Sequence, residues 1–222
     1  MRLDVVIPAH NDEATVADVV RAVTARTVRS VVVVDSGSTD TTARRAEDAG
    51  AVVVRAGRGG EGAACQRGIA HLGALPKPPE AVVFLAGDGS DDPADLAAVV
   101  RPLEESLFDL SIGSRVLGRA QLTAAERAGN FLAVHLISAI YGHKYTDVPT
   151  FRAIRYPALV ALHMREAGPG FWVEMQVKAL KLGLRVAEVP VAHRPSKARG
   201  LRGRAHVGAR VLYQILRHST AR

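Results

Sequence analysis

Cysteine is nearly absent from this chain. The single thiol, Cys65, excludes an internal disulfide and fits a reducing compartment, so a cytoplasmic protein is expected. Long apolar runs are missing too. None approaches the roughly 18 residues that cross a bilayer, and Met1 to Pro8 leads straight into a strand pattern, so no signal peptide is expected. Aromatic residues make up only 5% of the sequence and do not interleave with basic ones, so nucleic acid is not an expected partner. Zinc-ligand clusters, CxxC pairs and a serine on a nucleophile elbow are lacking. Their absence excludes zinc modules, dithiol redox chemistry and α/β-hydrolase chemistry. Acidic residues, finally, are missing altogether from His193 to Arg222.

What is present suits one α/β domain. The 222 residues are 48% hydrophobic, enough for a sizeable core. A formal charge of +7 points to anionic partners such as nucleotides, phosphates or an acidic membrane surface. Strand and helix patterns alternate through the first half: strands at Leu3 to Pro8, Val31 to Asp35 and Ala51 to Arg55, with helices at Ala14 to Thr24, after Asp40, and from Ala63 to Leu72. Such alternation predicts a mostly parallel sheet flanked by helices. Further on, a helix is expected from Asp92 to Ser106, a strand at Leu110 to Ser114 and a helix within Leu122 to Tyr141. Extended pieces at Thr146 to Phe151 and Arg185 to Val191 flank helical segments at Arg155 to Leu162 and Trp172 to Leu182.

The stretch Val82 to Pro93, VVFLAGDGSDDP, carries the sharpest chemical signal. It starts as a buried-strand run and breaks at Gly87 into a turn rich in acid. A carboxylate at a strand end lies where open α/β folds bind ligands, and it suits a hard cation such as Mg²⁺ or Mn²⁺. We read Asp91 and Asp92 as caps of the following helix, and Asp88, which stands too early to cap, as the functional acid. Asp35 ends another buried strand and can accept hydrogen bonds from a base or ribose, while Asp40 is better placed to cap. The loop GRGGEG, Gly57 to Gly62, is either a phosphate loop or a surface turn. Arg115, Arg127 and Arg152 stand at element ends and suit bidentate phosphate binding, or are surface charges. Glu174, amid Phe171, Trp172, Val173 and Met175, is either a base or the partner of Lys178 at i, i+4. His193 is a metal ligand, a phosphate contact or a solvent-facing residue.

In this order the motifs resemble those of the family-2 glycosyltransferases with the GT-A fold, over nearly the whole chain. VIPAHNDEATV resembles the family's opening, VVVVDSGSTDTT its Asp-Asp-Gly-Ser motif with Ser36 for the second Asp, and FLAGDGSDDP its metal-binding Asp-x-Asp strand. GSR, Arg127 to Asn130, and DVPTFRAI resemble downstream motifs, and Glu174 and Ser196-Lys197 resemble features of the polyprenyl-phosphate hexose synthases and their short bacterial relatives. The resemblance implies a Rossmann-like nucleotide-sugar-binding domain over residues 1–192, with a donor half at 1–115 and an acceptor half at 116–192, and a basic tail at 193–222. It implies an inverting, metal-assisted transfer of a hexose. The donor would be a nucleotide diphosphate sugar such as UDP-glucose or GDP-mannose, the acceptor polyprenyl phosphate or a small molecule. By the same resemblance Pro8, His10, Glu13 and Asp35 hold the base and ribose and Asp88 binds the Mg²⁺ or Mn²⁺; apart from the resemblance, Gly62 of the Gly-rich loop is a further donor candidate and His193 a further metal candidate. The resemblance also implies that Arg115 and Arg127 face donor or acceptor phosphate and that Glu174 lies where an acceptor-activating carboxylate is found; Arg152 and Lys197 are further phosphate candidates. A homodimer is compatible with it. Ala86 departs from the pattern, standing where the family has the first Asp, and Glu61 replaces a loop lysine or tyrosine. A non-catalytic nucleotide-sugar binder and a nucleotidyltransferase are the rival classes.

The tail is patterned as well as basic. Val207, Val211, Leu212, Ile215 and Leu216 recur at helical spacing, so a helix from about Arg204 to His218 has one apolar face. That stripe either lies on an anionic membrane, at the inner face of which the protein is then peripheral, or packs on the domain with its arginines in water.

Overall fold

A strand covered on both faces is nearly all apolar, and LDVVIPA meets this as β1 (Leu3–Ala9), its one charge, Asp4, being buried and paired with Arg29. On one side it pairs in parallel with β2 (Ser30–Asp35), which pairs with β3 (Val52–Arg55); on the other it pairs in parallel with β4 (Ala81–Phe84). Beyond these lie β5 (Leu110–Ser114), β6 (Arg152–Arg155) and β7 (Val186–Pro190), giving the order β3-β2-β1-β4-β6-β5-β7. β6 runs antiparallel to both β4 and β5, while β5 and β7 are parallel to each other. The structure is a computed structural model that describes residues 1–24 and 26–194. The expected tail helix and Lys197 lie outside the described residues.

Alternation along β1 divides the core, because successive strand residues point to opposite faces. Val5 and Ile7 join Val33 and Val83 on one face, against α1 (Val16–Thr24) and α4 (Leu96–Glu104). Val6 joins Val32 and Phe84 on the other, with residues of α3 (Glu61–Gly73), α5 (Ala124–Tyr141) and α7 (Phe171–Lys181). Each of these buried side chains contributes about 1.5–3 kcal/mol. α1 shows why it is a helix: Val16, Val19, Val20 and Val23 fall at i, i+3, i+4 and i+7 and are all buried. α3 lies close to the sheet because Gly68 has no side chain; a Cβ there would sit 2.6 Å from Val6 Cγ1. α2 (Thr42–Asp48) and α6 (Tyr156–Ala161) complete the described helices. α5 begins at a capping box, Thr123 with Glu126, and ends at Gly142, whose φ of 72° is the left-handed conformation glycine adopts freely.

Three expectations change here. The extended piece at 146–151 is not a strand; the strand is Arg152–Arg155, one step later. The helix expected from Asp92 splits into a 3-10 turn, Pro93–Asp95, and α4. The tail boundary moves past Arg194, because Ala192 N–H donates to Asp95 Oδ2 (2.6 Å), Arg194 N–H to Ser90 O (2.8 Å), and His193 bridges Asp91. The two halves share one sheet. Among the described residues no helix is long and apolar enough to cross a membrane.

Candidate active site

The strand order turns back at β1, which has β2 on one side and β4 on the other, and a crevice opens beyond such a point in α/β sheets. Here it is a cleft of about 870 Å³, lined by the end of β1 and its loop (Pro8 to Asp12), the turn after β2 (Ser36, Gly37, Thr39), the loop before α3 (Arg58 to Glu61) and the segment after β4 (Ala86 to Asp88). That volume is within the usual range of small-molecule sites.

The segment after β4 is held tightly. Gly87 passes close to its neighbours: a Cβ would meet Ala9 Cβ and Ile7 Cγ2 at 3.2 Å and Asp12 Oδ2 at 3.3 Å, tighter than ordinary contact. Its carbonyl accepts from Thr15 Oγ1 (2.9 Å). Asp88 is delivered to the cleft wall, largely buried, and its Oδ1 accepts from Ser90 N–H (3.0 Å) and Ser90 Oγ (2.6 Å). Asp92 caps the 3-10 turn, accepting from Ala94 N–H at 2.9 Å, as its sequence position suggests. Asp91 does not cap. It is buried, its Oδ2 accepts from Ala86 N–H (3.0 Å), and its Oδ1 lies 3.6 Å from His193 Nδ1.

His193 is therefore placed differently from the expectation of a cleft ligand. Both ring nitrogens are buried without a hydrogen bond, and Nε2 lies 3.8 Å from Glu126 Oε1, so the imidazole sits between two carboxylates. It is not among the residues lining the cleft. Among the described residues no three acidic, His or Cys side chains cluster as a ready-made metal cage. Asp88 alone still fits Mg²⁺ or Mn²⁺, because it is a hard oxygen donor, and Mg²⁺ is commonly held by one or two carboxylates plus substrate phosphates.

At the other end of the cleft, Pro8 and His10 line the wall as expected. His10 is fixed by Asp12 Oδ2, which accepts its N–H at 2.9 Å, and its Nδ1 is 3.2 Å from Ser36 O. Asp35 orders the turn beneath, accepting Ser38 N–H at 3.0 Å, while its neighbours Ser36 and Gly37 line the cleft. Glu13 holds the start of α2 instead of lining the site: Oε2 accepts from Thr41 Oγ1 (2.6 Å) and Thr41 N–H (3.1 Å), bonds that keep its pKa below the usual carboxylate value. Asp40, just before the N-cap residue Thr41, accepts from Thr42 N–H (3.0 Å) at the start of the same helix. Sequence reasoning missed Arg58, an exposed guanidinium on the cleft. Its signal was available, as the one cation in GRGGEG.

The acceptor half corrects several expectations. Gly62 does not face the cleft; a Cβ there would collide with the carbonyl oxygen of Glu166, so glycine is required by packing. Glu61 does line the cleft, and its Oε1 accepts from Trp172 Nε1 (3.1 Å) and Thr150 Oγ1 (3.3 Å). Arg152 is fully buried, its guanidinium donating to the carbonyls of Trp172 and Pro149 and lying 4.8 Å from the Trp172 ring centroid. Burial pushes its pKa down to about 10, and it cannot reach an acceptor phosphate. Arg115 is held in a fork by Asp147, with Nε to Oδ2 at 2.8 Å and Nη2 to Oδ1 at 2.7 Å. Arg127 is exposed near the start of α5.

Glu174 follows its salt-bridge alternative. It is buried, outside the cleft lining, 2.7 Å from Lys178 Nζ, and accepts from the backbone N–H groups of Arg165 (3.0 Å) and Glu166 (2.7 Å). Those two residues belong to the loop that packs on the start of α3, where Ala63 N–H donates to Ala167 O (2.8 Å). Glu174→Gln should thus cost about 1.5–3 kcal/mol of stability, the usual worth of hydrogen bonds to a charged group. Thermal melts read this, with turnover at saturating substrate changed only a few-fold. A loss of turnover of roughly 10² with an unchanged melt would instead make Glu174 a general base.

The family model described as glycosyl transferase family 2 matches residues 4–162. Glycosyltransferase AglJ of Haloferax volcanii is 30% identical over 86% of this chain, and the chain spans 62% of that relative's length. A glycosyltransferase of Mycobacterium bovis is 33% identical over 86% of this chain and 84% of its own. Among solved structures, glucosyl-3-phosphoglycerate synthase from Mycobacterium tuberculosis superposes with a TM-score of 0.83 at 24% identity, covering 100% of this chain and 81% of that one. The same enzyme has been crystallised with Mn²⁺, UDP-glucose and phosphoglyceric acid, and with Mg²⁺ and UDP. This chain belongs to glycosyl transferase family 2 and has the GT-A fold.

Proposed function

We propose that the protein transfers a hexose, with inversion, from a nucleotide diphosphate sugar to an acceptor that presents a phosphate. The observation that carries this reading is Asp88 on the wall of a cleft large enough for the donor, with the Arg58 guanidinium on the same cleft. Pro8, His10 and the Ser36-Gly37 turn bound the nucleotide end, with Asp35 fixing that turn from below. Arg58 supplies positive charge for the diphosphate. Asp88 would hold Mg²⁺ or Mn²⁺. When bound, that ion supplies Lewis acidity to the leaving diphosphate.

The commitment of Glu174 to the 165–166 backbone supports an acceptor that needs no base, and a phosphate is already anionic. Arg127 is the exposed cation proposed to meet it. Such a phosphate belongs either to a polyprenyl lipid or to a soluble molecule like the phosphoglyceric acid crystallised with the mycobacterial synthase. A cytoplasmic site is proposed with either source.

The test supplies UDP-glucose or GDP-mannose with Mn²⁺ and, in separate arms, a short-chain polyprenyl phosphate or phosphoglyceric acid. Released nucleoside diphosphate and the glycosylated product are measured by mass spectrometry. A product in one arm, abolished by EDTA, is expected. Nucleotide-sugar binding without turnover in any arm would identify a non-catalytic binder, and pyrophosphate release a nucleotidyltransferase.

A further inference from the structure

α5 presents an apolar stripe to water. Ala128, Phe131, Leu132, His135, Ala139 and Ile140 follow the spacing i, i+3, i+4, i+7, i+11 and i+12, and all are exposed. Phe131 is 62% exposed, Leu132 41% and Ile140 37%. The stripe holds no acid, lysine or arginine, and its one titratable ring, His135, stacks on Phe131 with centroids 3.8 Å apart. The opposite face does the packing on the domain, through Ala133 and Ile137. A solvated helix face is ordinarily polar, and a contiguous apolar one marks a docking site.

We propose that this stripe is the docking surface for the chain's own tail, residues 204–218, whose Val207, Val211, Leu212, Ile215 and Leu216 form the complementary apolar face. The place where the described chain ends supports this occupant. His193 lies against the first turn of α5, 3.8 Å from Glu126, and Arg194 is anchored to Ser90. The nine residues 195–203 reach about 30 Å at roughly 3.3 Å per residue. The 18 residues of α5 extend about 27 Å, so its whole length is within range. Tethering also sets the contest with a second copy: a short flexible linker gives an effective concentration on the order of millimolar, far above that of free protein at ordinary micromolar levels. A lipid surface is a poorer occupant of the stripe, which carries no cations to meet anionic headgroups. The inference does not depend on the proposed chemistry.

Cysteine pairs in the full-length chain test it. Leu132→Cys is combined in turn with Val211→Cys, Leu212→Cys and Ile215→Cys, and the protein is mildly oxidised; native Cys65 is buried and does not compete. At least one pair is expected to close within a monomer, seen as a faster band on a non-reducing gel and a linked peptide by mass spectrometry. Phe131→Asp in that background should lower the yield several-fold. Closure of no pair, or linkage only between two chains, would overturn the proposal. So would co-sedimentation with vesicles containing anionic lipid accompanied by loss of the intramolecular link, since the tail would then lie on the membrane.

Discussion

Asp88→Ala should lower sugar transfer on the order of 10³-fold or more while the melting temperature falls by only a few degrees. The two effects separate because Ser90, which hydrogen-bonds this carboxylate, is a local partner. Ser90 N–H and Oγ are two residues away and on the same loop, so their loss removes about 1–2 kcal/mol of hydrogen bonding. In a chain of this size that is a few degrees. The rate effect is larger because Asp88 is the carboxylate after β4 that the cleft wall carries, and charge stabilisation of a leaving phosphate is worth several kcal/mol, with about 4 kcal/mol equal to 10³ in rate. Asp88→Asn sharpens the test. It keeps an oxygen for Ser90 and deletes only the charge, so its melt should match the parent and its turnover should fall with the alanine variant. Mn²⁺-dependent UDP binding, measured by calorimetry, should weaken in both. Turnover of the asparagine variant within a few-fold of the parent would remove Asp88 from the mechanism.

How far the sequence reveals such a site depends on whether the partners are local. β1, β2 and β4 announce themselves because both faces are covered and the code is simply apolar. β6 does not. Its first residue is Arg152, and nothing near it in sequence says that this guanidinium is buried beside the Trp172 ring with carbonyls as acceptors. The apolar signal accordingly placed an extended piece one step too early. The acid loop shows the same division. Asp92 caps a helix two residues away and is legible from spacing. Asp91 occupies an equally cap-like position, but its histidine is about a hundred residues distant, so local rules misassign it. The partner of Glu174 at i, i+4 was readable; the 165–166 backbone it also holds was not, because a loop's path is a tertiary fact. Arg58 was passed over for a different reason, since the glycines around it drew the phosphate-loop comparison and its charge was left unassigned.

The other large effect is expected at Asp147, the first residue of DVPTFRAI, to which the sequence reading assigned no role of its own. Its carboxylate is fully buried and accepts from Arg115 N–H (2.8 Å), Arg115 Nε (2.8 Å), Arg115 Nη2 (2.7 Å) and Val148 N–H (2.8 Å). Burial penalises the Arg115 charge, and the bonds to Asp147 more than offset it, holding the guanidinium above its usual pKa. Removing one member of a buried pair leaves the other charge uncompensated, which costs about 3–5 kcal/mol. Asp147→Ala should therefore lower the melting temperature by roughly 6–20 °C at the ordinary conversion for chains of this length. The double variant Arg115→Met, Asp147→Leu should recover a large part of that loss, because an apolar pair of similar volume has no charge to desolvate. A single variant within about 1 kcal/mol of the parent would contradict the burial argument. The double variant also decides what Arg115 is for. If the ion pair only fixes the 146–148 loop beside α5, the refolded double variant keeps its KM for the proposed phosphate acceptor within a few-fold. If Arg115 instead leaves Asp147 to grip that phosphate, KM rises sharply although stability has been restored.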